Sequence, residues 1–127
     1  MGEASREIMR QARKQVEEWT PKRVHEALAE QHEAGSDQQD IVLVDVREKN
    51  EWNEGYIPGA LHLPLGEIPL HLDLLPTDQP LAVMCRSGHR AEIAASMLAA
   101  IGREVIAVRG GMPDWTDRGF PTNTDTN

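Results

Sequence analysis

Residues 41–46 read Ile-Val-Leu-Val-Asp-Val, an almost unbroken aliphatic and β-branched run. A strand with one wet face alternates apolar and polar residues. A run without alternation reads instead as a strand covered on both faces, the pattern of a parallel sheet. Parallel neighbours cannot be joined by a tight hairpin, and each needs a crossover, usually a helix. This one run therefore asks for helices above and below it.

The rest of the chain has the pieces to meet that demand. Thr20-Pro21 opens a helix, with Thr20 as N-cap and Pro21 at the first position; Val24, Ala27 and Leu28 form its apolar face, and it ends near Gly35. Residues 36–40 are a polar loop. Residues 48–54 predict a short helix closed by Gly55, Pro58-Gly59 a turn, 60–63 a strand and 66–72 a weak helix or turn. Leu81–Met84 is a strand. Residues 91–101 predict a strong helix with Ile93, Ala94, Met97, Leu98 and Ile101 as its apolar set and Gly102 as its stop. Residues 104–108 are a last strand, Gly110-Gly111 a turn and 112–118 a final short helix. Strands alternating with helices define an α/β domain with a mainly parallel sheet. Ahead of it, Ile8, Ala12 and Val16 recur at helical spacing, so residues 3–15 predict a helix. The last residues, 122–127, are polar and predict a frayed, flexible tail.

Composition narrows the classes. A chain of 127 residues suits one domain, and 39% hydrophobic content allows a real core. No apolar run approaches the roughly 18 residues of a membrane span. The first residues lack the apolar stretch of a signal peptide, and Arg6 breaks the myristoylation pattern. The expected home is the cytoplasm, without membrane partners. A net charge of −8 argues against nucleic acid as a partner. One cysteine excludes a disulfide scaffold and suits a reducing compartment.

That cysteine stands in Cys85-Arg86-Ser87-Gly88-His89-Arg90, between a strand and a helix. A helix N-terminus offers unpaired N–H groups and partial positive charge, which favour a thiolate, the nucleophilic form. An isolated free cysteine is usually a buried structural residue. Here strand end, glycine, flanking arginines and helix start coincide, and the nucleophilic reading is the better one. Ligands of parallel sheets sit beyond the strands' carboxyl ends, where Cys85 falls. With no second cysteine, anything transferred to Cys85 must be discharged to an outside thiol or nucleophile.

Three patterns in order resemble the rhodanese family of sulfurtransferases. The first is Asp45-Val46-Arg47, then Glu51-Trp52, then Gly55-Tyr56-Ile57-Pro58-Gly59-Ala60, with Tyr56 where the family usually has His. The second is the loop Cys85 to Arg90. The third is Gly110-Gly111 with Trp115. The resemblance covers residues 16–121 as one domain, with 1–15 as an N-terminal helical extension. It implies a rhodanese-like, mainly parallel five-stranded sheet with helices on both faces. It also implies a short edge strand near 16–19, where periodicity alone would run the first helix through Glu18. The six-residue loop is similar to that of the sulfurtransferases. The related dual-specificity phosphatases use a loop one residue longer, because a phosphate needs a wider ring of N–H groups than one sulfane sulfur does. A phosphatase or arsenate reductase is thereby disfavoured.

The resemblance implies two half-reactions. Cys85 takes the outer sulfur of a small anionic donor such as thiosulfate, and a persulfide then passes it to cyanide or a thiol. The alternative is a sulfur-carrier or partner-binding module serving a sulfur-accepting protein, with little thiosulfate turnover of its own. Cys85 is the nucleophile, and the backbone of Arg86, Ser87, Gly88, His89 and Arg90 is the cradle. Arg86 and Arg90 attract the anion, with a structural clamp as the equal alternative for Arg90. Ser87 is a hydrogen-bond donor, and His89 an exposed side chain. Arg47 is a candidate on the substrate side, against the alternative of an ion pair with Asp45 that fastens the loop. Glu51 caps or pins the helix that follows it. Trp52, Tyr56 and Trp115 pack. His25, His32, His62 and His71 show no metal-ligand spacing, and no metal or organic cofactor is implied.

Overall fold

The computed structural model describes residues 16–31 and 40–124. Five strands, β1 (Val16–Trp19), β2 (Val42–Asp45), β3 (Leu61–His62), β4 (Leu81–Met84) and β5 (Val105–Val108), form one sheet in the order β1-β5-β4-β2-β3. All four pairings are parallel. The helices are α1 (Pro21–Glu30), α2 (Lys49–Glu54), α3 (His89–Ala100) and α4 (Gly111–Asp117), with 3₁₀ segments at Leu65–Leu70 and Leu72–Leu74.

The strands alternate between two buried layers. Leu81 and Val83 of β4 face Ala91, Ala94, Ala95, Leu98 and Ala99 of α3. Ala82 and Met84 face Val24 and Ala27 of α1 and Met112 and Trp115 of α4. Both faces of the central strand are thus dry, as the run at 41–46 also demanded of β2. The sheet is fully parallel, with one isolated antiparallel bridge outside it between Tyr56 and Asn123.

The ends of the elements follow local chemistry. Thr20 Oγ1 accepts from the Arg23 N–H at 3.1 Å and Pro21 starts α1. Arg23 lies over the Trp19 ring, 4.3 Å from its centroid. In α2, Glu51 Oε1 accepts from the Glu48 N–H at 3.0 Å, half of a capping box. Trp52 stacks between Tyr56 and His62, with ring centroids 4.1 and 4.6 Å away.

Two expectations are corrected. Three of the five residues in the apolar set assigned to α3 are not in the core: Ala94 and Leu98 are buried, but Ile93, Met97 and Ile101 are 52%, 37% and 55% exposed. The sheet-facing side is built from alanines, which let the helix approach β4 closely, and large residues were the wrong marker. Of the tail expected to fray, residues 122–124 are described, and Asn123 is held. The Tyr56 N–H donates to Asn123 O at 2.9 Å and the Asn123 N–H to Tyr56 O at 2.8 Å. Trp115 Nε1 also donates to Pro121 O at 2.8 Å. The predicted helix at 3–15 and the loop at 36–39 lie outside the described residues.

Candidate active site

Cys85 directly follows β4, the middle strand, so its loop lies between the chain leaving β5 and the chain leaving β2. The residue is fully buried. Its Sγ accepts from the backbone N–H of Gly88 at 3.0 Å and of Ala91 at 3.4 Å, both at the mouth of α3. Gly88 is the N-cap of α3 and holds φ +99°, a left-handed conformation that an L side chain resists. Two backbone donors are thus aimed at one sulfur at the mouth of α3.

The floor of the loop comes from the turn after β5. The Met112 N–H donates to Cys85 O at 3.2 Å. Gly111, at φ +60°, lies so close that a Cβ there would overlap the carbonyl oxygens of Cys85 and Arg86. The Gly110-Gly111 turn therefore sets the height of the loop as well as the start of α4.

The wall comes from the chain after β2. Arg90 Nη1 reaches Glu51 Oε1 at 2.6 Å and Nη2 reaches Oε2 at 2.9 Å, a two-point ion pair. The hydrogen bond from Arg90 lowers the Glu51 carboxyl to about 2, against an opposing push from burial, and the Glu48 N–H adds to the lowering. The same hydrogen bond raises the Arg90 guanidinium above its ordinary value. This pair is the contact that a structural clamp on the loop would make.

Arg47 lines a cleft beside the loop, yet most of its guanidinium is engaged in the scaffold. Its Nε and Nη2 hold the fully buried Asp45 at 3.0 and 2.8 Å, Nη1 donates to Glu51 O at 3.2 Å and Nη2 to Gly55 O at 2.7 Å. Asp45 takes the Arg47 backbone N–H as well, at 3.0 Å. A guanidinium committed to one carboxylate and two carbonyls has little left to offer a ligand; it ties the end of β2 to both ends of α2. His62 meets the Arg47 carbonyl at 2.8 Å through Nε2, which must be the protonated nitrogen because a carbonyl only accepts.

Arg86, Ser87 and His89 are exposed and form the rim. On one side of the loop a cleft of about 280 Å³ is lined by Arg47, Glu51, Glu54, Arg86, Met112 and Thr116, among others. On the other a second cleft of about 280 Å³ is lined by Ser87, Gly88, His89, Arg109 and Gly110. Arg109, which the sequence reading passed over, pairs there with Glu18 at 2.7 Å, and its place directly after β5 was the available signal. Among the described residues no group of three or more His, Cys, Asp or Glu is arranged to hold a metal ion. No helix among them is long and apolar enough to cross a membrane.

The protein is thus a parallel α/β domain with a lone thiol cradled by N–H groups at the end of its middle strand. Comparison with known proteins narrows this. The model of the rhodanese-like domain matches residues 28–118. A sulfurtransferase from Allochromatium vinosum is 38% identical over 87 residues, 68% of this chain and 81% of that protein. Bacillus subtilis YtwF, provisionally named a sulfurtransferase, is 37% identical over 97 residues, 76% of this chain and 91% of YtwF. Bacillus subtilis YrkF, provisionally named a sulfur carrier, is 39% identical over 77 residues, 60% of this chain but only 42% of YrkF. The crystal structure of a rhodanese-like domain protein from Staphylococcus aureus superposes with a TM-score of 0.72 at 27% identity, covering 87% of this chain and 99% of that one. The chain belongs to the rhodanese-like family, among whose members are sulfurtransferases.

Proposed function

We propose that this chain moves sulfane sulfur from thiosulfate, or a similar small anionic donor, to an outside thiol or cyanide through a persulfide on Cys85. The observation that carries the reading is the cradle itself, with Sγ held by the Gly88 and Ala91 N–H groups at the mouth of α3. In the first half-reaction the Cys85 thiolate attacks the outer sulfur of thiosulfate. The S–S bond breaks and sulfite leaves with its electron pair. In the second, the acceptor thiolate or cyanide attacks the outer persulfide sulfur, and the Cys85 thiolate is the leaving group. Electrons balance within each step, so neither an oxidant nor a cofactor is needed. A cytoplasmic pool of reduced thiols supplies acceptors.

Positioning of the donor and N–H stabilisation of the transferred sulfur drive the transfer. Arg86 is the rim guanidinium assigned to the donor, and Ser87 and His89 frame the entrance. Arg90 and Arg47 hold the scaffold.

Intact-mass measurement after incubation with thiosulfate tests this. Wild type gains one sulfur, about 32 Da, cyanide removes it, and Cys85→Ser gains nothing. Absence of the gain on folded wild-type protein overturns the thiosulfate reading. The likeness to YrkF favours a second reading, a sulfur carrier that loads from a protein donor and hands on to a protein acceptor. A chain that loads but turns over no more than once with cyanide or small thiols supports that reading.

A further inference from the structure

Four charged side chains, Arg47, Glu51, Glu54 and Arg86, line the cleft on the Arg86 side of the loop. Two of them are spent inside the scaffold. Glu51 is clasped by Arg90 at 2.6 and 2.9 Å, and Arg47 holds Asp45 and two backbone carbonyls. Arg86 and Glu54 remain. Both are exposed, and neither has an ion-pair or hydrogen-bond partner among the described residues. They do not pair with each other either, so two opposite charges share one cleft of about 280 Å³ without meeting. Glu54 is also the last residue of α2, the end of a helix where a negative side chain is disfavoured. Local helix chemistry therefore does not account for an acid there. One exposed charge is an ordinary solvated group. A cation and an anion held apart on the walls of one cleft, beside the nucleophile's loop, make a two-point site for a ligand that carries both charges.

The chemistry says when such a ligand could enter. Displacement at a two-coordinate sulfur runs in line, with the entering and leaving atoms on opposite sides of the sulfur attacked. In loading, Cys85 Sγ enters and sulfite leaves on the far side. In unloading, Cys85 Sγ leaves, so the acceptor enters from that same far side. Donor and acceptor thus use one approach in turn. With Arg86 assigned to the donor, that approach is the cleft that also holds Glu54. Departure of sulfite leaves Arg86 without its anion. A carboxylate on the acceptor can replace it, and an ammonium on the same molecule answers Glu54.

Given the persulfide route above, on which this rests, we propose that the cleft selects as sulfur acceptor a small thiol bearing both an ammonium and a carboxylate, as an amino acid does. Glu54 reads the ammonium and Arg86 the carboxylate. The acceptor reacts as its thiolate, its proton having gone to solvent. Its sulfur bonds to the outer persulfide sulfur, the bond from that sulfur to Cys85 Sγ breaks, and Cys85 departs as the thiolate. The acceptor leaves as a persulfide anion, and no oxidant is required. Glu54 has a second effect. As a fixed negative charge it opposes a dianionic donor, so it slows loading while it favours unloading.

Single-turnover unloading tests this. The full chain is loaded with thiosulfate, freed of it by gel filtration and mixed with cysteine, cysteamine, 3-mercaptopropionate or 2-mercaptoethanol, and intact mass follows loss of the sulfur. Each rate is divided by that with 2-mercaptoethanol and compared between variants, so the intrinsic reactivity of each thiol cancels. Glu54→Gln should lower the relative rates with cysteine and cysteamine about three- to fivefold, the size of an exposed ion pair, but not that with 3-mercaptopropionate. Arg86→Met should lower those with cysteine and 3-mercaptopropionate by a similar factor, but not that with cysteamine. Glu54→Gln should also load from thiosulfate faster than wild type, a gain that damage to the fold does not produce. Relative rates left unchanged by Glu54→Gln, whether or not the absolute rates fall, overturn the proposal while the persulfide route stands. Failure of folded wild type to load overturns the thiosulfate reading and this proposal with it.

Discussion

Glu51 and Arg90 stand 39 residues apart in the chain and meet through two N–O contacts of 2.6 and 2.9 Å. Glu51 also takes the Glu48 N–H, and its carbonyl takes Arg47, so one residue joins the start of α2, the end of β2 and the last position of the cysteine loop. Two-point pairs are the strong form of the charge-assisted hydrogen bond, and this one is mostly sheltered, with Glu51 19% and Arg90 31% exposed. Glu51→Gln and Arg90→Lys should each lower stability by about 1–2 kcal/mol, more than a surface pair would. Chemical denaturation of a double-mutant cycle checks this. A coupling energy indistinguishable from zero would show that the two side chains act independently.

The same pair sets an acid limit. With its hydrogen bond to Arg90, Glu51 titrates at about 2 in the fold, below the usual carboxylate range. A carboxyl lowered on folding stabilises the folded state above its unfolded pKa, and that contribution disappears as pH falls through the folded value. The stability difference between wild type and Glu51→Gln should hold level from pH 7 to about 5, shrink below about 4.5 and be nearly gone near 2. Thermal melts of both proteins across that range measure it. A difference that shrank between pH 7 and 5 would exclude Glu51 as its source.

Gly110 and Gly111 are both left-handed, at φ +78° and +60°, yet only one sits against the loop. A Cβ on Gly110 would meet Asp114 Cβ at 3.5 Å, an ordinary contact, whereas on Gly111 it would overlap loop backbone. Both alanine substitutions carry the backbone penalty of about 1–2 kcal/mol. Gly111→Ala should add at least about 2 kcal/mol and slow sulfur loading of Cys85, because the loop must shift. Urea midpoints and loading rates of the two variants side by side decide it, and equal values would mean that the loop does not depend on this floor.

Arg47 and Arg86 separate scaffold from rim. Arg47→Met leaves Asp45 buried without its partner and should cost about 3–5 kcal/mol. Arg86→Met removes an exposed side chain; stability should stay within about 0.5 kcal/mol while KM for thiosulfate rises several-fold. Denaturation and steady-state kinetics of both variants provide the comparison. Unchanged stability with weaker donor binding in Arg47→Met would reverse the two assignments.

Some of this architecture could be read from the sequence, and the reasons differ by element. Runs such as Leu81–Met84 announced buried parallel strands because nothing polar interrupts them. Thr20-Pro21 announced α1 because capping is local chemistry. The strand at Val16–Trp19 came from the family resemblance, since periodicity alone would have continued a helix there, and the structure has β1 in that place. The buried face of α3 was misread because close approach to β4 selects alanine, which hydrophobicity ranks below isoleucine and methionine. The clamp on Arg90 and the floor under Cys85 depend on strand order. Glu51 and Met112 become neighbours of the loop only once β2 and β5 flank β4.

That strand order also has a consequence for biosynthesis. The edge strand β1 is made first and pairs with β5, which is made last. A chain growing from its N-terminus therefore cannot close its sheet until residue 108 has been added, and Met112 comes later still. Until then the nascent thiol at position 85 has no floor beneath it. The finished cradle is a late product of translation, and a chain that stalls after its cysteine but before Gly110-Gly111 carries a thiol the fold has not yet enclosed.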